Sequence, residues 1–112
     1  MNFIGNAFSL NMIESAKRGI VTDFRVTKMD RSKAIERLQE TEHKSVLGHR
    51  DIANVVSEDL YMDIQFNRET IKLREGDSMI VCQYSGPRLR EGSVQLPPEA
   101  QIDYFLVEMA VN

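Results

Sequence analysis

The sequence predicts an α/β fold built as a single mixed β-sheet flanked by a few helices. Three observations carry that expectation. Short β-rich apolar segments stand at both ends of the chain, two interior stretches repeat apolar residues at helical spacing, and glycine, proline and asparagine turn signals separate them. A chain of 112 residues, 42% hydrophobic and 28% charged, has the length and balance of one domain, read as residues 1–112. A domain of this size leaves roughly a third of its unfolded surface exposed. A deep pocket for a large ligand is therefore easier to build between two copies, and the expected assembly is a symmetric homodimer with the ligand pocket at the subunit interface.

Taken in order, Asn2 to Gly5 reads as a short buried strand, and Asn6-Ala7-Phe8-Ser9 as turn chemistry leading to a brief turn over Leu10 to Ile13. From Ile20 to Thr27, Ile20, Thr22, Phe24 and Val26 alternate with Val21, Asp23, Arg25 and Thr27, the pattern of a strand with one buried face. Asp30 is placed as an N-cap for a helix that carries Ala34, Ile35 and Leu38 on one stripe and runs to about Glu42. After Gly48, Ile52, Val55, Val56 and Leu60 recur at helical spacing, so a second helix begins near His49 and ends before Met62, with His49 in its first turn. Thr70 to Leu73 and Met79 to Tyr84 read as a hairpin turned by Glu75-Gly76-Asp77. Ser85-Gly86-Pro87 and Pro97-Pro98-Glu99 interrupt the pattern before a last β-rich segment from Ile102 to Val111, with no internal repeat.

A net charge of −3 repels an extended nucleic-acid backbone, so long DNA or RNA is a poor partner. A small phosphodiester remains possible, because a few arginines focused in one cleft outweigh a weak overall field. Cys82 is the only cysteine, which excludes an intramolecular disulfide and a cysteine-based zinc site and fits a reducing cytoplasm. The segment MNFIGNAFSLNMI has no basic leader, and no stretch approaches about 18 apolar residues. The expectation is a soluble cytoplasmic protein with no membrane partner. No phosphate-binding Gly-x-x-x-x-Gly-Lys loop, His-Glu-x-x-His pair or metal-spaced carboxylate cluster is present, so neither cofactor nor metal is expected.

Two histidines, His43 and His49, are available for acid–base chemistry. His43 lies in Thr41-Glu42-His43-Lys44, which reads as solvated surface. His49 follows Gly48, where the backbone can approach a ligand closely, and stands at a helix start whose free N–H groups favour an anion. Ser9 ends a strand but has no Gly-x-Ser-x-Gly elbow and no carboxylate partner, so it reads as a cap or a hydrogen-bond donor to phosphate or ribose rather than a nucleophile. Asn6 and Asn11 serve either turns or ligand. In Arg88-Leu89-Arg90-Glu91-Gly92, a loop following a Gly-Pro break puts Arg88 where it can grip a phosphate with two N–H groups. Arg68, in Phe66-Asn67-Arg68-Glu69, is a further phosphate-contact candidate.

Three blocks, Asn6-Ala7-Phe8-Ser9-Leu10-Asn11-Met12, Leu47-Gly48-His49 and Arg88-Leu89-Arg90-Glu91-Gly92, occur in one order across most of the chain. In these the sequence resembles the anti-CRISPR ring nuclease family of archaeal viruses and bacterial mobile elements. The first block is distinctive; the other two carry weight in combination. The resemblance implies a homodimer that holds the two-fold symmetric messenger cyclic tetra-adenylate across the subunit interface and opens it without a metal, which would silence type III CRISPR signalling. It implies His49 as general acid, Arg88 as stabiliser of the transition state and Glu91 as the residue orienting either of them. Ser9 would position ribose or phosphate, and Asn6 and Asn11 would contact the ligand. The chain departs from the family pattern in Tyr84-Ser85-Gly86-Pro87 before Arg88 and in Arg90, where an acidic residue is common. Two other classes compete. A module that sequesters or senses cyclic oligoadenylate would return the ring intact, and a viral structural or DNA-associated protein would need basic surface clusters that this sequence lacks.

Overall fold

An extended run such as Ser78-Met79-Ile80-Val81-Cys82 has no polar face to offer water, which marks a strand covered on both sides. It lies in the middle of a mixed sheet. In a computed structural model that describes residues 1–14, 19 and 21–111, the described residues form five strands: β1 (Asn2–Gly5), β2 (Phe24–Met29), β3 (Lys44–Ser45), β4 (Ser78–Ser85) and β5 (Gln101–Met109). Their order in the sheet is β2-β5-β4-β1-β3. β1 runs parallel to both β3 and β4, with Phe3 opposite Lys44 and Met79, while β5 is antiparallel to both β4 and β2. Two α-helices, α1 (Arg31–Glu40) and α2 (Arg50–Leu60), accompany them among the described residues.

Strand alternation sends neighbouring side chains to opposite faces and so creates two apolar layers. On one face Ile4, Ile80, Cys82, Tyr104 and Leu106 meet Ala34 of α1 and Ala53, Val56 and Leu60 of α2. Each large aliphatic side chain fully buried there contributes about 1.5–3 kcal/mol. On the other face Phe3, Met79, Val81, Val107 and Met109 are covered by irregular chain: Phe8, Met12 and Ile13 from one segment, Ile71 and Leu73 from another. Tyr104 Oη donates to Asp59 Oδ2 at 2.5 Å and Arg31 Nη1 to Asp59 Oδ1 at 3.3 Å, which ties both helices to β5. Burial, reinforced by the Asp59 carboxylate, holds the Tyr104 phenol well above its ordinary range. No helix among the described residues is long and apolar enough to cross a membrane.

The expected hairpin from Thr70 to Tyr84 does not form. Glu75-Gly76-Asp77 is a turn, closed by Asp77 N donating to Arg74 O at 2.9 Å, but among the described residues the segment before it makes only a parallel bridge between Leu73 and Ile13. Ile71 and Leu73 alternate because an extended segment lays them on the second face as cover. The strand expected over Ile20 to Thr27 begins later, at Phe24; Ile20 lies outside the described residues. At the edge of the sheet, with β5 its one neighbour among the described residues, β2 leaves Val26 61% exposed, while Phe24 packs edge-to-face on Phe8 with ring centroids 5.2 Å apart. Asp30 holds the N-cap position of α1 without a side-chain capping bond, and the helix ends at Glu40 because Thr41 is extended.

His43 is half-buried rather than solvated. Its Nδ1 lies 2.7 Å from the Thr41 carbonyl, so Nδ1 carries the proton, and its Nε2 is buried with no partner among the described residues. Burial holds the imidazole below the ordinary value of 6.5, opposed by the bond to Thr41 and assisted by the Arg37 charge. The folded chain therefore binds fewer protons here than the unfolded chain, and the stabilisation present above pH 6.5 is lost as the pH falls below it. Chemical denaturation between pH 7 and 5 is expected to show that loss. His43→Gln, which cannot ionise, should have a shallower slope over the same interval, and equal slopes would remove His43 as the cause.

Candidate functional site

Because β1, β3 and β4 are parallel, their C-terminal ends open on the same edge of the sheet. β3 and β4 flank β1 on opposite sides, and in α/β sheets a crevice that receives ligands opens where neighbouring connections diverge in this way. Each strand delivers a candidate residue to that edge. Asn6 follows Gly5 of β1, His49 follows β3 after Val46-Leu47-Gly48, and Arg88 follows β4 after Gly86-Pro87. A cleft of about 1030 Å³ opens there, lined among others by Asn6, His49, Arg88 and Glu91. That volume stands at the upper end of ordinary small-molecule sites.

Backbone bonds hold His49 at the rim. The Leu47 carbonyl accepts from Asn67 N at 2.9 Å, and Asn67 Nδ2 donates to the Ser45 carbonyl at 2.7 Å, which fixes the short path from β3 to α2. His49 is not in the first turn of α2 as expected; it is the N-cap residue just before it, extended at φ −124 and ψ 121. Its carbonyl accepts from Ala53 N at 2.9 Å to start the helix, and its imidazole makes no capping bond, which leaves the ring available to the cleft. Arg50 is engaged elsewhere, its guanidinium 4.6 Å from the centre of the Phe66 ring.

The other wall is the loop between β4 and β5. Pairing of the two strands ends at Ser85 with Gln101, and Tyr84 Oη donates to the Pro87 carbonyl just beyond. Gly86, at φ +151, closes the neck: a Cβ placed on it would lie 2.5 Å from the Ala100 Cβ. At the tip, Ser93 N donates to the Arg90 carbonyl at 3.0 Å, and Gly92 takes φ +83, a region that glycine enters without penalty. Asp51 Oδ1, in the first turn of α2, accepts from Gly92 N at 3.0 Å, and Asn54 Nδ2 donates to Ser93 O at 3.4 Å.

The cleft thus brings an imidazole and the guanidinium-bearing Arg88 and Arg90 together with the acidic residues Asp51 and Glu91 in one lining. One Asp51 oxygen is already engaged by a backbone N–H. Two arginines on one loop are suited to gripping phosphate oxygens, and the imidazole supplies a proton donor. Cys82 lines the cleft with its thiol buried; burial, and secondarily Asp59, pushes that thiol far above its ordinary value and keeps it protonated. Among the described residues no group of three or more histidine, cysteine or acidic side chains is placed to hold a metal ion.

Three expected ligand contacts do not line this cleft. Ser9 Oγ accepts from Asn11 N at 3.3 Å as the cap of the 3-10 turn Leu10–Met12, and the Asn11 carbonyl accepts from Lys72 Nζ, so both residues serve the turn on the opposite cover of the sheet. Arg68 lays its stem beside Gly48, where a Cβ would meet Arg68 Cγ at 3.6 Å. Conversely, Asp51 and Tyr84 line the cleft without being among the residues the sequence singles out. The available signal for Asp51 was an acidic residue in a helix first turn, a position that ordinarily stabilises the helix alone.

These features define a class: a small α/β protein with one mixed sheet and a histidine–arginine cleft at the C-terminal ends of its parallel strands. A family profile described as STIV B116-like matches residues 2–106, and the chain belongs to that family. Among solved structures, B116 of Sulfolobus turreted icosahedral virus is similar at a TM-score of 0.73 and 26% identity, over 96% of this chain and 97% of that one. No curated protein matches the sequence.

The neck carries a direct test. Gly86→Ala forces the Ala100 backbone and side chain apart, and overpacking of this kind costs about 1–3 kcal/mol. The urea midpoint is expected to drop accordingly, with the loop amides from Arg88 to Gly92 exchanging faster. A variant with wild-type midpoint and exchange would show that the neck opens without cost.

Proposed function

We propose that this chain is a metal-independent ring nuclease that opens cyclic tetra-adenylate, as its resemblance to the viral ring nucleases implies. The observation that carries the reading is the meeting of Asn6, His49, Arg88 and Glu91 in one cleft, although they come from three separate blocks of sequence. In the reaction the substrate provides its own nucleophile. A ribose 2'-oxygen bonds to the adjacent phosphorus and loses its proton to water, the bond from phosphorus to the 5'-oxygen breaks, and His49 protonates that departing oxygen. Arg88 stabilises the added charge on the five-coordinate phosphorus, and Glu91 orients Arg88 or His49. Each cut leaves a 2',3'-cyclic phosphate, and two cuts give linear diadenylate. A two-fold symmetric ring suits a two-fold dimer with one cleft from each copy. Ser9, Asn11 and Arg68, which lie outside the single-chain cleft, would reach the ligand only across such an interface. Removing the messenger would switch off a type III CRISPR response.

One observation favours a second reading. Catalytic histidines are usually oriented by a neighbouring group, whereas the His49 side chain makes no capping bond. A protein that binds the ring and keeps it intact would have the same cleft.

Incubation with labelled cyclic tetra-adenylate in chelator separates the two readings. Linear diadenylate bearing a cyclic phosphate is the expected product, and His49→Ala is expected to bind the ring while cleaving it about two to four orders of magnitude more slowly. Retention of an intact, bound ring by the wild type supports the sequestering reading. Unchanged cleavage by the variant removes His49 from the mechanism, and a ring that is neither bound nor broken ends both readings.

A further inference from the structure

The loop that carries Arg88, Arg90 and Glu91 is fastened at two places, its neck and its tip. Both tip fastenings end on α2. Asp51 and Asn54 stand three residues apart and so share one face of the helix; the first accepts from Gly92 N at 3.0 Å and the second donates to Ser93 O at 3.4 Å. Between them they satisfy a donor and an acceptor of a turn that would otherwise close only on itself through Arg90 and Ser93. Gly92 aims its N–H at the helix from a left-handed backbone, φ +83, that other residues adopt only with strain. The Asp51 carboxylate is favoured where it stands, in the first turn of α2, and a hydrogen bond to an ionised acceptor is stronger than one between neutral groups. The same helix begins directly after His49.

Building on the ring-opening reading, we infer that Asp51, assisted by Asn54, is a positioning residue that latches the arginine loop to the helix starting at His49. Proton donor and phosphate-gripping guanidiniums then belong to one rigid frame, although they come from segments some forty residues apart in sequence. Asp51 acts as a hydrogen-bond acceptor and takes no part in proton transfer.

The test compares Asp51→Ala with Asp51→Asn in the full chain by two readouts: amide exchange at Gly92, and kcat and KM for cyclic tetra-adenylate. Alanine removes the acceptor, so Gly92 exchange is expected to rise about tenfold, with kcat falling about tenfold and KM changing less, as befits a contact that matters in the transition state. Asparagine keeps a carbonyl oxygen within reach and is expected to recover most of both. Unchanged Gly92 exchange in the alanine variant overturns the latch, and so does an asparagine variant as slow as alanine, which would assign the carboxylate to acid–base chemistry. Should Asp51→Ala fail to fold, Asn54→Ala is expected to move both readouts in the same direction by less, and no change in either overturns the inference. A wild-type chain that neither binds nor opens the ring ends both readings of the cleft and leaves the latch standing; the exchange comparison still decides whether Asp51 holds the loop.

Discussion

A strand that is hydrogen-bonded on both edges and buried on both faces has no surface left to adjust, and β1 is held in that way. Phe3 goes to one apolar layer and Ile4 to the other, while β3 and β4 occupy its two edges in parallel. Parallel pairing on both sides forces three chain exits to the same end of the sheet. One exit is Asn6, one leads to His49 and one to Arg88, so the cleft is a product of strand direction before any side chain is considered.

The two faces of the sheet are covered by different means, and this decides what the sequence makes legible. Helices advertise themselves by spacing: Ile52, Val55, Val56 and Leu60 place α2 to within a residue or two. Irregular cover does not, because Ile71 and Leu73 alternate like a strand while making a single bridge, and the period-2 signal cannot separate an extended covering segment from a paired one. β3 is too short to carry any pattern. His43 escapes for a related reason: its neighbours in sequence are polar, but the space it lines is shared with Ile4, Leu38, Met62 and Ile64 as well as with Ser45, Asp63 and Gln65, which its local sequence does not reveal.

Much the same holds for the site. His49 and Arg88 could be singled out because each follows a glycine-marked break at the end of a strand or the start of a helix, and short blocks of sequence tied them to Asn6 and Glu91. Asp51 carried no such mark, since what distinguishes it is a bond to a glycine in a distant loop. Ser9 and Asn11 belong to a distinctive block, yet within one chain the Ser9 hydroxyl caps a local turn by accepting from the Asn11 backbone N–H, away from the cleft. A shared motif reports that residues are retained together; which of them face one space depends on how the strands are ordered.

The neck at Gly86 and Ala100 has a bearing on how such a protein changes over generations. Register between β4 and β5 is set by the pairs from Ser78 with Glu108 to Ser85 with Gln101, all on the sheet side of the neck. Residues added to or removed from the loop beyond it leave every one of those pairs, and both buried layers, where they were. A one-residue slip inside a strand would turn its apolar set toward water, but the same insertion in the loop alters the wall of the cleft and its fastenings to α2 while sparing the sheet. The wall of the cleft is thus the segment whose length the core does not police, so it can be lengthened or shortened without unseating the sheet that carries it.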